Sequence, residues 1–249
     1  MTSVSSSPDA LLPLQVAIDG PAGAGKSTVA RQVARALGLT YVDTGAMYRA
    51  LAWSVLEQRI SPDDADAVCR LAQSLDVSLE DAPQGVRVLA DGQDITPFIR
   101  TPEISRLTSP LSALPCVRDR MVKLQQAMAA RQGVVMEGRD IGTVVLPHAP
   151  VKVFLTASPH ARAARRHAEL AARGVDYSLE ELEREIRERD TRDSARDTSP
   201  LSAAPDAVLI DSDSLTAEQV VARILALARH VSQALDAAVP SRETPALVP

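Results

Sequence analysis

Asparagine is absent from this 249-residue chain. Lysine occurs only at Lys26, Lys123 and Lys152, so arginine supplies the other 24 of the 27 basic residues. A codon bias is the cheapest explanation of both. The missing asparagine still excludes the Asn-Lys-x-Asp element with which GTP-dependent switches read guanine. Aromatic residues make up 2% of the chain, which leaves aliphatic side chains to build the core. No apolar run approaches the roughly 18 residues of a membrane span. The serine-rich segment Met1–Asp9 has no basic stretch followed by an apolar one, so no secretory leader is expected. The two cysteines, Cys69 and Cys116, lack metal-ligand spacing and are expected to be reduced packing thiols in a cytosolic protein. A formal charge of −5 argues against a general nucleic-acid binder or a DNA-bound motor.

A hydrophobic content of 45% suits a globular protein, and the length allows one substantial core with inserted subdomains. The most informative stretch is Asp19-Gly-Pro-Ala-Gly-Ala-Gly-Lys-Ser27, which fits the phosphate-loop pattern G-x-x-x-x-G-K-[ST] from Gly20 to Ser27. Leu14–Ile18 before it reads as a buried strand. The segment from Ser27 to Leu37 carries apolar residues at helical spacing and meets a stop at Gly38. Strand, glycine loop and helix are what the chemistry requires. Backbone N–H groups close around phosphate oxygens, the helix N-terminus adds partial positive charge, and Lys26 reaches the outer phosphates. Ser27 offers a hydroxyl to Mg²⁺. The pattern implies a bound nucleoside triphosphate.

Five segments read as buried strands: Leu14–Asp19, Leu39–Val42, Gly133–Glu137, Val151–Leu155 and Ala207–Asp211. Helical patterns alternate with them, which predicts an α/β fold with a parallel sheet covered on both faces. Ser158-Pro159 opens a helix that runs towards Ala172 and stops at Gly174. Ser178 with Glu181, and Thr216 with Gln219, have capping-box spacing. A final helix is expected over about 217–237. Two stretches break the alternation. Asp76–Glu80, Gly85–Ala90 and the turn at Asp91-Gly92 predict a small antiparallel insert, with a further turn at Ala82–Gly85. Glu180–Asp197 alternates acids and arginines. Its i,i+4 pairs predict either a salt-bridged surface helix or a mobile arginine-bearing flap. The units expected are an extension over 1–13, a domain over 14–237 and a tail over 238–249, both ends being disordered. Within the domain the insert covers about 60–116 and the lid about 174–199.

Two further clusters lie at predicted strand ends, where ligands of open α/β sheets bind. Asp43-Thr-Gly-Ala-Met-Tyr-Arg49 offers a carboxylate, a hydroxyl and a guanidinium, although Asp43-Thr44 alone would also suit a helix cap. Met136-Glu-Gly-Arg-Asp-Ile-Gly-Thr143 brings Glu137, Arg139 and Asp140 to another strand end. A carboxylate there could orient Mg²⁺ through water, and an Arg/Asp pair can read a base edge or a phosphate. The plainer alternative is a turn with a local ion pair.

The phosphate loop, Asp43–Arg49, Glu137–Pro147, and Arg189-Asp-Thr-Arg-Asp193 with Pro200-Leu201 together resemble the bacterial cytidylate kinases. The resemblance runs from about 15 to 237 and includes the insert. It implies a nucleoside monophosphate kinase fold with a five-stranded parallel core, a monophosphate-binding insert and a short helical lid. It implies transfer from ATP to CMP or dCMP with Mg²⁺, in a cytoplasmic monomer without nucleic-acid or membrane partners. Carried over by position, Gly20, Pro21, Ala22, Gly23, Ala24, Gly25, Lys26, Ser27 and Thr28 would hold the ATP phosphates, with Arg162 and Arg166 beside them. Thr44, Arg49, Ser109, Arg118, Arg139 and Asp140 would hold CMP, with Arg49 at its phosphate. Arg189, Asp193 and Arg196 would come from the lid, Asp193 to the ribose. Lys26, Arg139, Arg189 and Arg196 would be the catalytic cations. Ser27 would ligate Mg²⁺, with Asp43 and Glu137 acting through water. Thr44 stands where many relatives have serine, which keeps the hydroxyl.

The nucleophile in such a reaction is a phosphate oxygen, already anionic, so no general base is needed. None of His148, His160, His167 and His230 has a base-orienting motif, and none is assigned a catalytic role. Catalysis would be positioning plus electrostatics. The competing expectation is a kinase for another small acceptor, either UMP or a shikimate-like hydroxyl with Asp43 as its base.

Overall fold

A computed structural model describes residues 14–82, 85–172, 174–196 and 198–238. The expectations of disorder at 1–13 and 239–249, and the centre of the turn at Pro83-Gln84, lie outside those residues.

The five expected strands form one parallel sheet. They are β1 (Gln15–Asp19), β2 (Thr40–Asp43), β6 (Val134–Gly138), β7 (Val151–Thr156) and β8 (Val208–Asp211), in the order β2-β6-β1-β7-β8. Their near-continuous apolar runs are those of strands buried on both faces. α1 (Lys26–Leu37) and α8 (Ala217–Ala238) cover one face, where Val29, Val33 and Ile224 pack on Val16, Ile18, Val135 and Val153. On the other face Ala17, Val42 and Met136 meet Ile141, Val145 and Leu146. The chain leaves β1 for β2 on one side and later adds β7 on the other. The crevice at the carboxyl end of β1 is therefore the switch point where ligands of such sheets bind.

The antiparallel insert is a separate sheet of β3 (Val77–Ala82), β4 (Gly85–Ala90) and β5 (Gln93–Asp94), and not a sixth core strand. With α2 (Thr44–Glu57), α3 (Ala65–Ser74), α4 (Pro102–Leu111) and α5 (Pro115–Ala129) it closes its own apolar cluster around Leu51, Leu75, Ile95 and Met121. α6 (Pro159–Ala171) starts at the Ser158 cap. It ends where Gly174, at φ 72°, lets the N–H groups of Gly174 and Val175 bond back to Ala171 and Leu170. α7 (Leu179–Ser194) opens with the expected capping box, and Thr216 and Gln219 exchange the same pair of bonds before α8.

The cysteines depart from expectation: Cys69 of α3 and Cys116 at the start of α5 form a disulfide. The two helices pack side by side and bring the Cα atoms 5.7 Å apart, within bridging range. A separation of 47 residues gives no hint of that approach.

Candidate active site

Strand register assembles the site. Asp43 of β2 pairs with Glu137 of β6, and Ile18 of β1 lies opposite Glu137 on the other side. Alternation along the strands turns Asp43 and Glu137 to the α1 face and Asp19 to the opposite face. All three carboxylates are buried.

The phosphate loop leaves the end of β1. Gly20 sits at φ 147°, and a Cβ there would collide with the carbonyl of Leu155 on β7. Gly25, at φ 90°, is the N-cap of α1 and contributes no side-chain cap, so the first helical N–H groups face the loop free of side-chain acceptors. Lys26 is buried, and its Nζ donates to the Pro21 carbonyl at 2.8 Å. Burial, and then the Arg139 guanidinium, pull Lys26 down to about 7; Arg189 adds to this, while Glu137 and Asp19 oppose it. Burial and the Asp43 charge raise Glu137, against the pull of Lys26, Ser27 and Tyr41. The Tyr41 hydroxyl donates to Glu137 Oε1, and burial with the Glu137 charge raises the Tyr41 phenol in turn.

Asp43 is both a helix cap and an ion-pair hub. Its Oδ1 accepts from Ala46 N at 2.8 Å, and its Oδ2 accepts from Arg49 at 2.9 Å and Arg100 at 3.3 Å. With both oxygens committed, Asp43 is an anchor and a poor base for a hydroxyl acceptor. The Thr44 hydroxyl donates to the Glu137 carbonyl at 2.7 Å, which ties α2 to β6.

Ser109, Arg118, Arg139, Asp140, Asp193 and Arg196, all expected at the acceptor, meet in one cluster. Arg118 pairs with Asp140, donates to the Ser112 carbonyl at 3.3 Å and lies 5.7 Å from the centroid of the Tyr48 ring. Asp193 joins the lid to this cluster. It accepts from Arg139 at 3.2 Å, Arg196 at 2.5 Å and Ser109 at 3.4 Å, with Arg189 3.8 Å away. Burial raises the Asp193 carboxyl, but Arg139, Arg196 and Arg189 outweigh it and hold it below the usual range. Arg189 is lowered to about 10 by burial and the charge of Arg139. α7 therefore has two faces. Leu182, Ile186, Arg189, Asp190 and Asp193 follow a helical stripe facing inward, whereas Arg184, Arg187 and Arg192 are exposed. The salt-bridged surface helix describes the outer side of α7, while its inner side carries Arg189 beside Asp193.

Arg162 donates to the Ala22 carbonyl at 3.1 Å and grips both oxygens of Asp190, so it links the phosphate loop to α7. A cleft of about 460 Å³ opens beside it, lined by Pro21, Phe154, Thr156, Arg162, Asp190 and Asp213. Arg166 pairs instead with Glu169 on its own helix and is not brought to the loop. The four histidines are exposed. Asp19, Tyr41, Arg100 and Asp190 were assigned no role from sequence. Asp19, adjoining the glycine loop, and Asp190, inside the Arg189–Asp193 motif, carried a signal there; Tyr41 and Arg100 carried none.

Among the described residues no cluster of three acidic, histidine or cysteine side chains could cage a metal. Mg²⁺ bound with a nucleotide takes its ligands from a hydroxyl, phosphate oxygens and water rather than from an all-protein cage. Ser27 lies beside Glu137, as such a site requires. No described helix is long and apolar enough to cross a membrane.

The pattern of the family described as "Cytidylate kinase" matches residues 16–230. A cytidylate kinase of Carboxydothermus hydrogenoformans is 49% identical over 212 residues, covering 85% of this chain and 96% of that one. Another, of Pelotomaculum thermopropionicum, is 51% identical over 212 residues, covering 85% and 94%. On the match and the identities together, this chain belongs to the cytidylate kinase family.

Proposed function

We propose that the protein transfers the γ-phosphoryl group of ATP to CMP and dCMP, giving ADP and CDP or dCDP. One observation carries the reading. Arg139, just after β6, and Arg189 of α7 lie close enough to Lys26 of the phosphate loop to lower it, and Arg139 also lowers Arg189. Three cations from three elements thus converge where two polyanions must meet.

In this reading Gly20 to Thr28 hold the ATP phosphates and the donor nucleoside occupies the cleft beside Arg162. Arg166 would have to leave Glu169 to take part. Ser27, and Glu137 through water, would hold Mg²⁺, which when bound would offset phosphate charge; Asp43, already engaged by Ala46, Arg49 and Arg100, is the poorer candidate. Arg49, Arg139 and Arg189 address the acceptor phosphate. Ser109, Arg118 and Asp140 frame the base, Asp193 the ribose, and Thr44 holds the floor of that pocket. A phosphate oxygen of CMP attacks the γ-phosphorus, the bond to the bridging oxygen breaks, and ADP leaves with that electron pair. No proton need move, so the side chains act by position and charge. Closure of α7 excludes water, which would otherwise hydrolyse ATP.

We also take the working unit to span about 14–237, with the insert over about 60–116 and the lid over about 174–199. We take it to act as a monomer in the cytoplasm, without nucleic-acid or membrane partners. A reducing cytoplasm would hold Cys69 and Cys116 as thiols. A coupled ADP-release assay against CMP, dCMP, UMP, AMP, GMP and shikimate tests the reading. Turnover confined to CMP and dCMP supports it, and turnover on another acceptor, or on none, overturns it.

A further inference from the structure

We propose that Asp19 is a positioning residue for the acceptor site: it caps the turn after β6 from a neighbouring strand and so leaves Asp140 free to pair with Arg118. The inference rests on the acceptor reading above.

Residues Ile141–Val145 form a single π-helical turn, and Asp140 occupies its N-cap position. The first N–H groups of any helical turn lack partners within it, and an aspartate at that position would ordinarily supply one from its own side chain. Asp140 makes no such bond, because its carboxylate is committed to Arg118. Asp19, more than 120 residues earlier in the chain, supplies the cap instead. Its Oδ1 accepts from Ile141 N at 2.8 Å and its Oδ2 from Gly142 N at 2.7 Å.

Both bonds are buried, and the fit is close. A Cβ on Gly142 would lie 3.3 Å from Asp19 Oδ2 and 3.2 Å from Lys152 Cδ. Burial pushes the Asp19 carboxyl up to about 6, against the pull of the two N–H groups, with Asp140 adding to the rise and Lys26 opposing it. A buried carboxylate held under those conditions is costly unless its acceptors are used. Here they fix the backbone on the C-terminal side of Arg139 and Asp140. The same residue ends the strand that feeds the phosphate loop, so one side chain registers the acceptor loop against the donor loop.

Asp19→Asn removes one acceptor and turns an N–H donor towards another donor. Loss of a charge-assisted bond of this kind should raise the KM for CMP by about tenfold or more. ATP affinity, read by direct titration, should fall by less than the KM for CMP rises, since the loop amides keep their places and only the Asp19 charge acting on Lys26 is lost. Gly142→Ala presses on the same contact without changing charge and should move the same KM in the same direction. A second readout needs no substrate. In hydrogen–deuterium exchange, the peptide over 138–146 should exchange faster in Asp19→Asn while β7 keeps its protection. An unchanged KM for CMP in both variants, or equal losses for CMP and ATP, would overturn the proposal. So would unchanged exchange over 138–146. If the wild type turns over no CMP, the acceptor reading fails, and the exchange result still decides whether Asp19 holds the loop.

Discussion

Arg139 and Lys26 show how differently two cations of one site behave. Arg139 follows β6 and is held by Asp193; if it serves the acceptor as proposed, Arg139→Ala should cost far more in turnover with CMP than in affinity for ATP. Steady-state kinetics beside an ATP titration would show it, and unchanged turnover would remove Arg139 from the acceptor site. Lys26 is the site's one cation that titrates near neutrality, pulled to about 7 by burial and by Arg139. A bound polyphosphate favours its charged form, so ATP binding should take up a proton around pH 7–8 and weaken as pH rises through that range. Calorimetry in buffers of different ionisation enthalpy measures the uptake, and its absence would mean that Lys26 is already charged. At this scale the sequence was legible wherever chemistry is local. The glycine loop, the Asp43 cap and Arg139-Asp140 all stand within a few residues of what defines them. The partner of Asp19 was not legible, because the contact spans more than 120 residues and no periodicity records it.

At the scale of elements, α7 and the cysteine clasp make opposite cases. The stripe Leu182, Ile186, Arg189, Asp190, Asp193 obeys helical spacing, so the inward face of α7 could be read from sequence once the segment was taken as a helix. Arg187, paired with Glu183 at 2.5 Å on the exposed face, should be replaceable by alanine at a cost within about 0.5 kcal/mol. Arg189→Ala should leave thermal stability near the wild type yet abolish most transfer. Equal activity of the two variants would remove the distinction between the faces. The clasp could not be foreseen, because helix–helix packing places Cys69 against Cys116 and nothing in their spacing announces it. The bridge should stabilise the oxidised protein by about 2–4 kcal/mol through the loop it closes. Melting curves with and without reductant, beside a Cys69→Ser/Cys116→Ser variant, check the figure. Identical midpoints would show that the bridge adds nothing.

For the whole molecule, the formal charge of −5 coexists with a convergent set of arginines and one buried lysine at the carboxyl end of the sheet. The cations Lys26, Arg49, Arg118, Arg139, Arg162, Arg189 and Arg196 thus gather at one end of a chain whose net charge is negative. Two polyanionic nucleotides are drawn in by a local field against the net charge, and such a field is screened over about 10 Å at 0.1 M salt. Raising the ionic strength well above that should raise both KM values several-fold while the melting temperature moves little; salt-independent KM values would mean that contact, not field, captures the nucleotides. The five parallel strands and the separate antiparallel insert were foreseeable in outline, because alternation and turn residues are sequence-local; the strand order, with β6 between β2 and β1, was not. The π-helical turn was not, because its cap comes from another strand.

The clasp between α3 and α5 also has a mechanical consequence. It encloses all three strands of the small sheet and the whole of α4. A chain drawn out by its two ends would keep the 47-residue span between the cysteines slack inside a covalent ring. At about 3.6 Å per residue, the oxidised chain would fall roughly 170 Å short of the length the reduced chain reaches. Any machine that unfolds it by threading from one end would meet a doubled strand at Cys69 or Cys116.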